Sequence, residues 1–234
     1  MFINDEDRKT ITGLFEEKVV NPVKLVVFTK QKSNILLLNE SNPCQYCEET
    51  EALIKELAEL SDNISVEVHD FENENEKASE YNIDRVPAIA VVGARDYGIR
   101  YFGIPSGYEF SSLLEDIVDV SQGTTDLAPE TKDKLKNITT ETHIRVFVTP
   151  TCPYCAPAVR LAHKMAIENE NIRSDMVEAQ EFPRMAQRYN VRGVPRVVIN
   201  ENISFEGALP EPQYLEYILQ ASENPVQEEI VSQN

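Results

Sequence analysis

All four cysteines of this 234-residue chain fall in two Cys-x-x-Cys motifs, Cys44-Gln45-Tyr46-Cys47 and Cys152-Pro153-Tyr154-Cys155. Each motif follows an apolar run and precedes a stretch with helical periodicity. A Val-Pro dipeptide follows each motif at the same distance, because Pro87 and Pro195 each lie 43 residues after the first cysteine of their motif. A Cys-x-x-Cys ahead of a helix in a β-α-β pattern is typical of a dithiol redox site. The matching downstream marks predict two copies of one such unit.

The duplication can be followed letter by letter. Residues 81–87 (YNIDRVP) match residues 189–195 (YNVRGVP) at an offset of 108, which is also the offset of the two motifs. The strand-like runs that end at Thr29 and Thr149 are offset by 120, so the first half carries 12 extra residues before Cys44. An internal repeat of this kind indicates two copies of one supersecondary unit.

A polar stretch at 122–129, which contains Gly and Pro, is the predicted boundary between the copies. We therefore expect a first unit over 1–122 and a second over 123–222. Residues 223–234 are polar and acidic, and we expect them to form a frayed tail.

The local patterns predict an α/β fold in which each unit has a central mixed β-sheet flanked by helices. Near-continuous apolar runs predict buried strands at 23–29 and 144–148, and alternation predicts a strand at 64–68. Residues 30–43 are predicted to form a long loop with a short strand. A hairpin is expected after each Val-Pro, with strands at 88–92, 99–102, 196–199 and 203–205. The two units are expected to share a continuous sheet or to pack closely.

Composition limits the functions open to the chain. A formal net charge of −18 argues against binding to nucleic acid and to anionic membranes, which both select Lys and Arg. The first ten residues are polar and acidic, unlike a signal peptide, and no apolar run approaches a membrane span. We therefore expect a cytoplasmic protein, where a Cys-x-x-Cys is more often catalytic or metal-binding than a structural staple.

Disulfide exchange needs one thiolate to attack and a second thiol to resolve the mixed disulfide. A cysteine at the start of a helix faces unpaired N–H groups and the positive end of the helix dipole, which favour its anion. Cys44 and Cys152 are thus predicted to attack, and Cys47 and Cys155 to act as the buried resolving thiols. Pro153 is predicted to lie in the first helical turn, where its fixed φ suits a helix.

The order of strand, Cys-x-x-Cys, helix, strand, helix, Val-Pro, hairpin and helix is that of the thioredoxin fold. Cys152-Pro153-Tyr154-Cys155 is the tetrapeptide familiar from glutaredoxins. The whole chain, including residues 97–103 and 147–155, resembles the protein disulfide oxidoreductases of thermophilic archaea and bacteria, glutaredoxin-like proteins with two fused thioredoxin folds. Residues 30–43 depart from that pattern, since the family has a short connection before the first motif.

The resemblance implies a thiol–disulfide oxidoreductase without an organic cofactor of its own. It implies protein disulfides as substrates and a flavin-dependent thioredoxin reductase as electron donor. Pro87 and Pro195 resemble the cis-proline of the fold, so that the backbone of Val86 and Val194 would form the peptide-binding edge. Whether the chain reduces, forms or isomerises disulfides stays open.

Two details of the motifs stay open at this stage. Tyr46 and Tyr154 could shield the sulfurs or only cap a pocket. The buried carboxylate that thioredoxins place shortly before the first cysteine has no counterpart in residues 146–148. Proton transfer is therefore expected to differ or to depend on a group elsewhere in the chain.

Other functions are compatible with the same residues. A glutathione-dependent glutaredoxin would use the same motifs. A metal- or iron–sulfur-binding scaffold would use the four cysteines as ligands. Zinc is disfavoured because 104 residues separate the cysteine pairs, against the roughly 15–20 of a zinc ribbon.

Overall fold

A computed structural model describes residues 2–30 and 44–223 of the chain. The helices are α1 (Asp5–Lys18), α2 (Cys47–Ala58), α3 (Asn75–Glu80), α4 (Tyr108–Gln122), α5 (Pro129–Leu135), α6 (Cys155–Glu168), α7 (Pro183–Arg188) and α8 (Glu211–Glu223). The strands are β1 (Val23–Thr29), β2 (Ile64–Asp70), β3 (Ala88–Val92), β4 (Asp96–Phe102), β5 (Thr142–Val148), β6 (Ile172–Glu178), β7 (Arg196–Ile199) and β8 (Ile203–Glu206). The predicted loop and strand at 30–43 lies, apart from Lys30, outside the described residues.

All eight strands of the described residues form one sheet in the order β2-β1-β3-β4-β6-β5-β7-β8. Each half repeats one arrangement, with a parallel pair, a central strand and an antiparallel hairpin. The halves are joined by parallel pairing of β4 with β6, from Ile99 opposite Ser174 to Phe102 opposite Val177. The predicted α/β fold is confirmed, with a continuous sheet between the units.

The strand directions place both motifs at one edge of this sheet. Strands β1, β4, β5 and β6 all run the same way, since β4 is antiparallel to β3, β3 is antiparallel to β1, and the β4–β6 and β5–β6 pairs are parallel. The carboxyl ends of β1 and β5, which lead to the two motifs, therefore share an edge. Three strands lie between β1 and β5. Four strand spacings correspond to about 19 Å.

Apolar side chains fill both faces of the sheet. The larger cluster lies under the long helices and includes Phe15, Ile54, Ile117 and Cys155, each at most 1% exposed. The smaller cluster lies under α3 and α7, where Phe28 and Phe147 are fully buried. Helices α2 and α6 thus pack on the same face, and each presents its first cysteine to the sheet edge.

A buried polar network joins α4 of the first unit to α6 of the second. Asp116, which is fully buried, accepts hydrogen bonds from Tyr101 and Arg160 and lies 2.5 Å from His163 Nδ1. Arg160 also contacts Asp119 at 2.5 Å. Burial, and then the charge of Arg160, lowers the pKa of His163 to about 3, so the neutral imidazole donates to Asp116. Removing one member would leave a buried charge without its partner, so the network fixes the two units against each other.

Several predicted bounds agree with the structure and one strand differs. Strands β1 and β3 have the predicted limits, whereas β4 begins at Asp96 instead of Ile99. Asp96 joins β4 because its carboxylate accepts from Gly98 N and pairs with Arg100, which extends the strand towards the hairpin turn. Among the described helices, none is long and apolar enough to cross a membrane.

Candidate active sites

The first site contains a disulfide between Cys44 and Cys47, with an S–S distance of 2.08 Å. Cys47 is buried at 2% exposure, while Cys44 is partly exposed. The backbone N–H of Lys30, at the end of β1, donates to Cys47 Sγ at 3.2 Å. The sulfur predicted to attack is therefore the accessible one of the pair.

The second site contains the free thiols of Cys152 and Cys155. Cys152 is partly exposed and its thiol donates to the carbonyl oxygen of Val194 at 3.6 Å. Cys155 is fully buried. Burial, and then the hydrogen bond with Cys152, raises the pKa of the Cys155 thiol well above its ordinary value. This sulfur stays protonated until a base removes its proton.

The helices begin later than the sequence suggested. Helix α6 begins at Cys155 and α2 begins at Cys47, so Cys152 and Cys44 each lie in the turn before a helix. The prediction that Pro153 lies in the first helical turn is wrong, because a turn closed by Cys155 N donating to Cys152 O at 3.2 Å comes first. The N-terminal N–H groups of both helices lack a side-chain cap and point towards the motif.

The tyrosines of the two motifs differ in exposure. Tyr154 is 68% exposed, whereas Tyr46 is partly buried. Tyr154 therefore presents most of its ring to the surroundings of Cys152 instead of packing inside a pocket. Pro153 is also exposed.

The two Val-Pro dipeptides occupy equivalent places beside the motifs. Both the Val86–Pro87 and the Val194–Pro195 peptide bonds are cis, as the resemblance implied. Both prolines are buried and both valines are partly exposed. No group in the described part of the chain is hydrogen-bonded to the N–H of either valine. Their binding of substrate backbone stays a prediction.

A buried carboxylate that the sequence analysis missed lies at the second site. Glu109, near the start of α4 in the first unit, is 1% exposed; its Oε2 accepts from Ser112 Oγ at 3.1 Å. Its Oε1 has no partner within the described residues. Burial raises the pKa of Glu109 to about 7, and its charge contributes to the raised pKa of Cys155. The group that can exchange a proton with Cys155 therefore comes from the other unit.

The sequence did contain a signal for Glu109. It lies four and eight residues before Leu113 and Ile117, both fully buried, and therefore on the apolar face of α4. A carboxylate on the core face of an amphipathic helix needs a structural or chemical reason. The start of α4 is held at the second site because Tyr108 N donates to the carbonyl oxygen of Pro150 at 3.2 Å.

The first site opens on a cleft of about 630 Å³ that both units line. Cys44, Val86 and Pro87 lie on the side of the first unit, and Phe182 and Met185 lie on the side of the second. The two cysteine pairs lie four strand spacings apart, so the four sulfurs cannot ligate a single zinc ion, whose Zn–S bonds are about 2.3 Å.

Comparison with known proteins agrees with this architecture. The sequence matches the family model described as a thioredoxin domain over residues 33–115 and again over 142–220. The solved protein disulfide oxidoreductase from Aeropyrum pernix K1 is 34% identical, and the match covers 96% of this chain and 95% of that one with a TM-score of 0.84. The alkylhydroperoxide reductase protein AhpF of Enterococcus faecalis V583 has the same fold, at 23% identity, with a TM-score of 0.83 over 93% of this chain and 100% of that one.

Two curated relatives are longer than this chain. The NADH dehydrogenase of Bacillus subtilis strain 168 is 32% identical over 151 residues, which cover 64% of this chain and 27% of the relative. The alkyl hydroperoxide reductase protein of the AhpF kind in Staphylococcus aureus strain Mu50 is 29% identical over 157 residues, covering 65% and 27%. The chain thus spans about a quarter of the length of these relatives.

Proposed function

Because this chain belongs to the thioredoxin-domain family, with two fused thioredoxin folds, we propose that it is a thiol–disulfide oxidoreductase that works by dithiol exchange at two sites. The observation that carries the proposal is the pairing of one accessible and one buried sulfur at each helix start. Cys44 with Cys47, and Cys152 with Cys155, have this arrangement. An accessible sulfur can attack a substrate, and a buried one can resolve the product.

The exchange at the second site takes two steps. The Cys152 thiolate attacks one sulfur of a substrate disulfide, which forms a mixed disulfide and releases one substrate thiolate. Glu109 removes the proton of Cys155, and the resulting thiolate attacks Cys152 Sγ. This step forms the Cys152–Cys155 disulfide, releases the second substrate thiolate and transfers two electrons to the substrate. The proton held by Glu109 then passes to the leaving thiolate.

An extended substrate segment would lie along Val86–Pro87 at the first site and Val194–Pro195 at the second. The unpaired N–H of each valine supports this proposal, since a bound strand can accept from it. Pro153 and the exposed ring of Tyr154 would contact substrate at the second site, and Tyr46 at the first. Protein disulfides are accordingly the proposed substrates.

Electrons would come from a flavoprotein of the thioredoxin reductase kind, in the cytoplasm. The similarity to an NADH dehydrogenase and to an alkyl hydroperoxide reductase protein supports a chain of this type in which a pyridine nucleotide is the first donor. No organic cofactor is assigned to the chain itself. We keep 1–122 and 123–222 as the two working domains and place the tail at 223–234.

The test is turnover of insulin disulfides with dithiothreitol as reductant. We expect activity in the full chain, reduced activity in the Cys44→Ser/Cys47→Ser and Cys152→Ser/Cys155→Ser variants, and background rates when all four cysteines are replaced. Full activity without any of the four cysteines would refute the proposal. Turnover driven by glutathione without a flavoprotein would indicate a glutaredoxin. Metal bound at four thiols in the purified chain would indicate a scaffold instead.

A further inference from the structure

Glu181 belongs to the second unit but contacts the backbone of the first. It lies in the turn between β6 and α7, and its Oε1 accepts from the N–H of Ile104 at 2.7 Å. Ile104 lies just after β4, the last strand of the first unit. This hydrogen bond is separate from the β4–β6 pairing, because it lies beyond the end of the paired segment.

The backbone held by Glu181 leads directly to the first site. Gly103, the residue before Ile104, donates its N–H to the carbonyl oxygen of Pro87 at 2.9 Å. Gly103 has φ +96°, and a Cβ there would lie 2.6 Å from Glu178 Cβ and 2.7 Å from Glu181 Oε1. Only glycine allows this close approach. The corner at 103–104 is thus fixed between Pro87 on one side and the second unit on the other.

Glu181 is itself held in place. Its own N–H donates to Oε2 of Glu178 at 2.5 Å, and Glu178, at the end of β6, is 3% exposed. Glu181 also lines the cleft that contains Cys44. A chain of hydrogen bonds therefore runs from β6 of the second unit, through Glu181 and the corner at 103–104, to the Val-Pro edge of the first site.

The second site lacks this support. Gly207 N donates to the carbonyl oxygen of Pro195 at 2.9 Å, as Gly103 does to Pro87. However, a Cβ at Gly207 would have no atom within 4 Å. Within the described residues, no acceptor is bonded to the N–H of Ala208, the counterpart of Ile104. The corner can therefore form without a carboxylate, and the contact of Glu181 is an addition specific to the first site.

We propose that Glu181 is a positioning residue for the first site, where it fixes the corner at 103–104 and thereby presents the Val86–Pro87 edge to an extended substrate. The proposal rests on the proposed function. It makes substrate binding at the first site depend on a residue of the second unit, while the chemistry at Cys44 and Cys47 does not. The expected signature is a change in KM with kcat preserved.

The test uses the full chain with Cys152→Ser and Cys155→Ser, so that only the first site turns over. The substrate is a synthetic extended peptide in mixed disulfide with a fluorescent thiol, and dithiothreitol is the reductant. Loss of one hydrogen bond to a charged group predicts that Glu181→Ala raises KM about tenfold with kcat within about twofold. Glu181→Gln keeps an oxygen that accepts from Ile104 N–H, and we expect it to restore KM to within about twofold of the parent.

Amide hydrogen exchange gives a direct second readout. The Ile104 amide should exchange faster in the Glu181→Ala variant and remain protected in Glu181→Gln. Activity of the second site, measured in a Cys44→Ser/Cys47→Ser background, should stay unchanged in both variants.

Three outcomes would overturn the inference. They are an unchanged KM in Glu181→Ala, equal losses in the Ala and Gln variants, and a fall in kcat at both sites. If the parent with only the first site fails to turn over at all, the proposed function fails at that site, which is a different result from an unchanged KM.

Discussion

The two sites have the same local parts but meet the rest of the molecule on opposite sides. In the sheet, the Val-Pro side of the first site faces β4 and then the second unit, whereas the Val-Pro side of the second site faces the free edge at β8. The helix side shows the reverse, because α6 packs against α4 of the first unit and α2 lies at the β2 edge. A head-to-tail fusion of two equal units thus produces unequal sites.

This difference assigns a separate dependence to each site. The first site borrows the support of its peptide-binding edge, through Glu181 and through the cleft wall at Phe182 and Met185. The second site borrows its proton acceptor, Glu109. Substrate binding at one site and proton transfer at the other are therefore the properties that the fusion changes, and each can be removed by one substitution in the opposite unit.

The largest effect is expected for Glu109→Gln. Loss of a positioned base typically slows proton transfer by about 10²-fold or more, so resolution of a mixed disulfide trapped on Cys152 should slow by about 100-fold. Because the pKa of Glu109 is about 7, the rate of this step in the unmodified chain should rise with pH up to about 7 as the carboxylate loses its proton. The variant should lack that rise. Stopped-flow measurement of the released fluorescent thiol gives both quantities.

The first site is the matched control for this substitution. Resolution of a mixed disulfide on Cys44 by Cys47 should proceed at the same rate with or without Glu109. An equal slowing at both sites would mean that Glu109 acts on the fold and not on Cys155.

The same substitution should stabilise the protein at alkaline pH. The pKa of Glu109 is about 7 in the folded chain against an ordinary 4.5, so the folded state binds this proton more tightly. The free energy of unfolding therefore falls as pH rises from about 4.5 to 7, and the cost is fully present above pH 7. Glu109→Gln should raise the free energy of unfolding by roughly 1–3 kcal/mol at pH 8. At pH 4 the difference should vanish, and urea titrations at the two pH values test this sign.

The comparison also explains what the sequence could and could not predict. Apolar runs and β-branched residues were enough to place β1 and β3, and the offset of 108 was enough to predict the duplication. These features depend on local patterns that repeat within each unit. Glu109 and Glu181 were missed as site residues because their roles depend on packing between the units, which a repeat pattern does not encode.

The later start of α2 and α6 was missed for a different reason. A Cys-x-x-Cys predicts a helix nearby, but the choice between a turn and the first helical turn depends on one hydrogen bond, from Cys155 N to Cys152 O at 3.2 Å. Helix ends are the least certain part of any pattern for this reason.

The smallest expected effect concerns Arg85 and Gly193, which occupy the same position of the repeat, 108 residues apart. The Arg85 guanidinium lies 5.9 Å from the ring centre of Phe102 and 5.7 Å from that of Phe182, so it bridges the first unit to the second beside the cleft. Gly193 is exposed, and a Cβ there would have no atom within 4 Å.

Arg85→Ala should therefore lower the free energy of unfolding by about 1–2 kcal/mol, from two cation–π contacts of about 0.5–1 kcal/mol each. It should raise the KM of the first site by about threefold, since the wall at Phe182 loses its partner. Gly193→Arg adds a side chain where there is open space, and it should change neither stability nor the KM of the second site. If Gly193→Arg instead lowered the KM of the second site, an arginine at this position would bind substrate directly. The unequal walls would then reflect the residue at this position of the repeat and not the presence of a neighbouring unit.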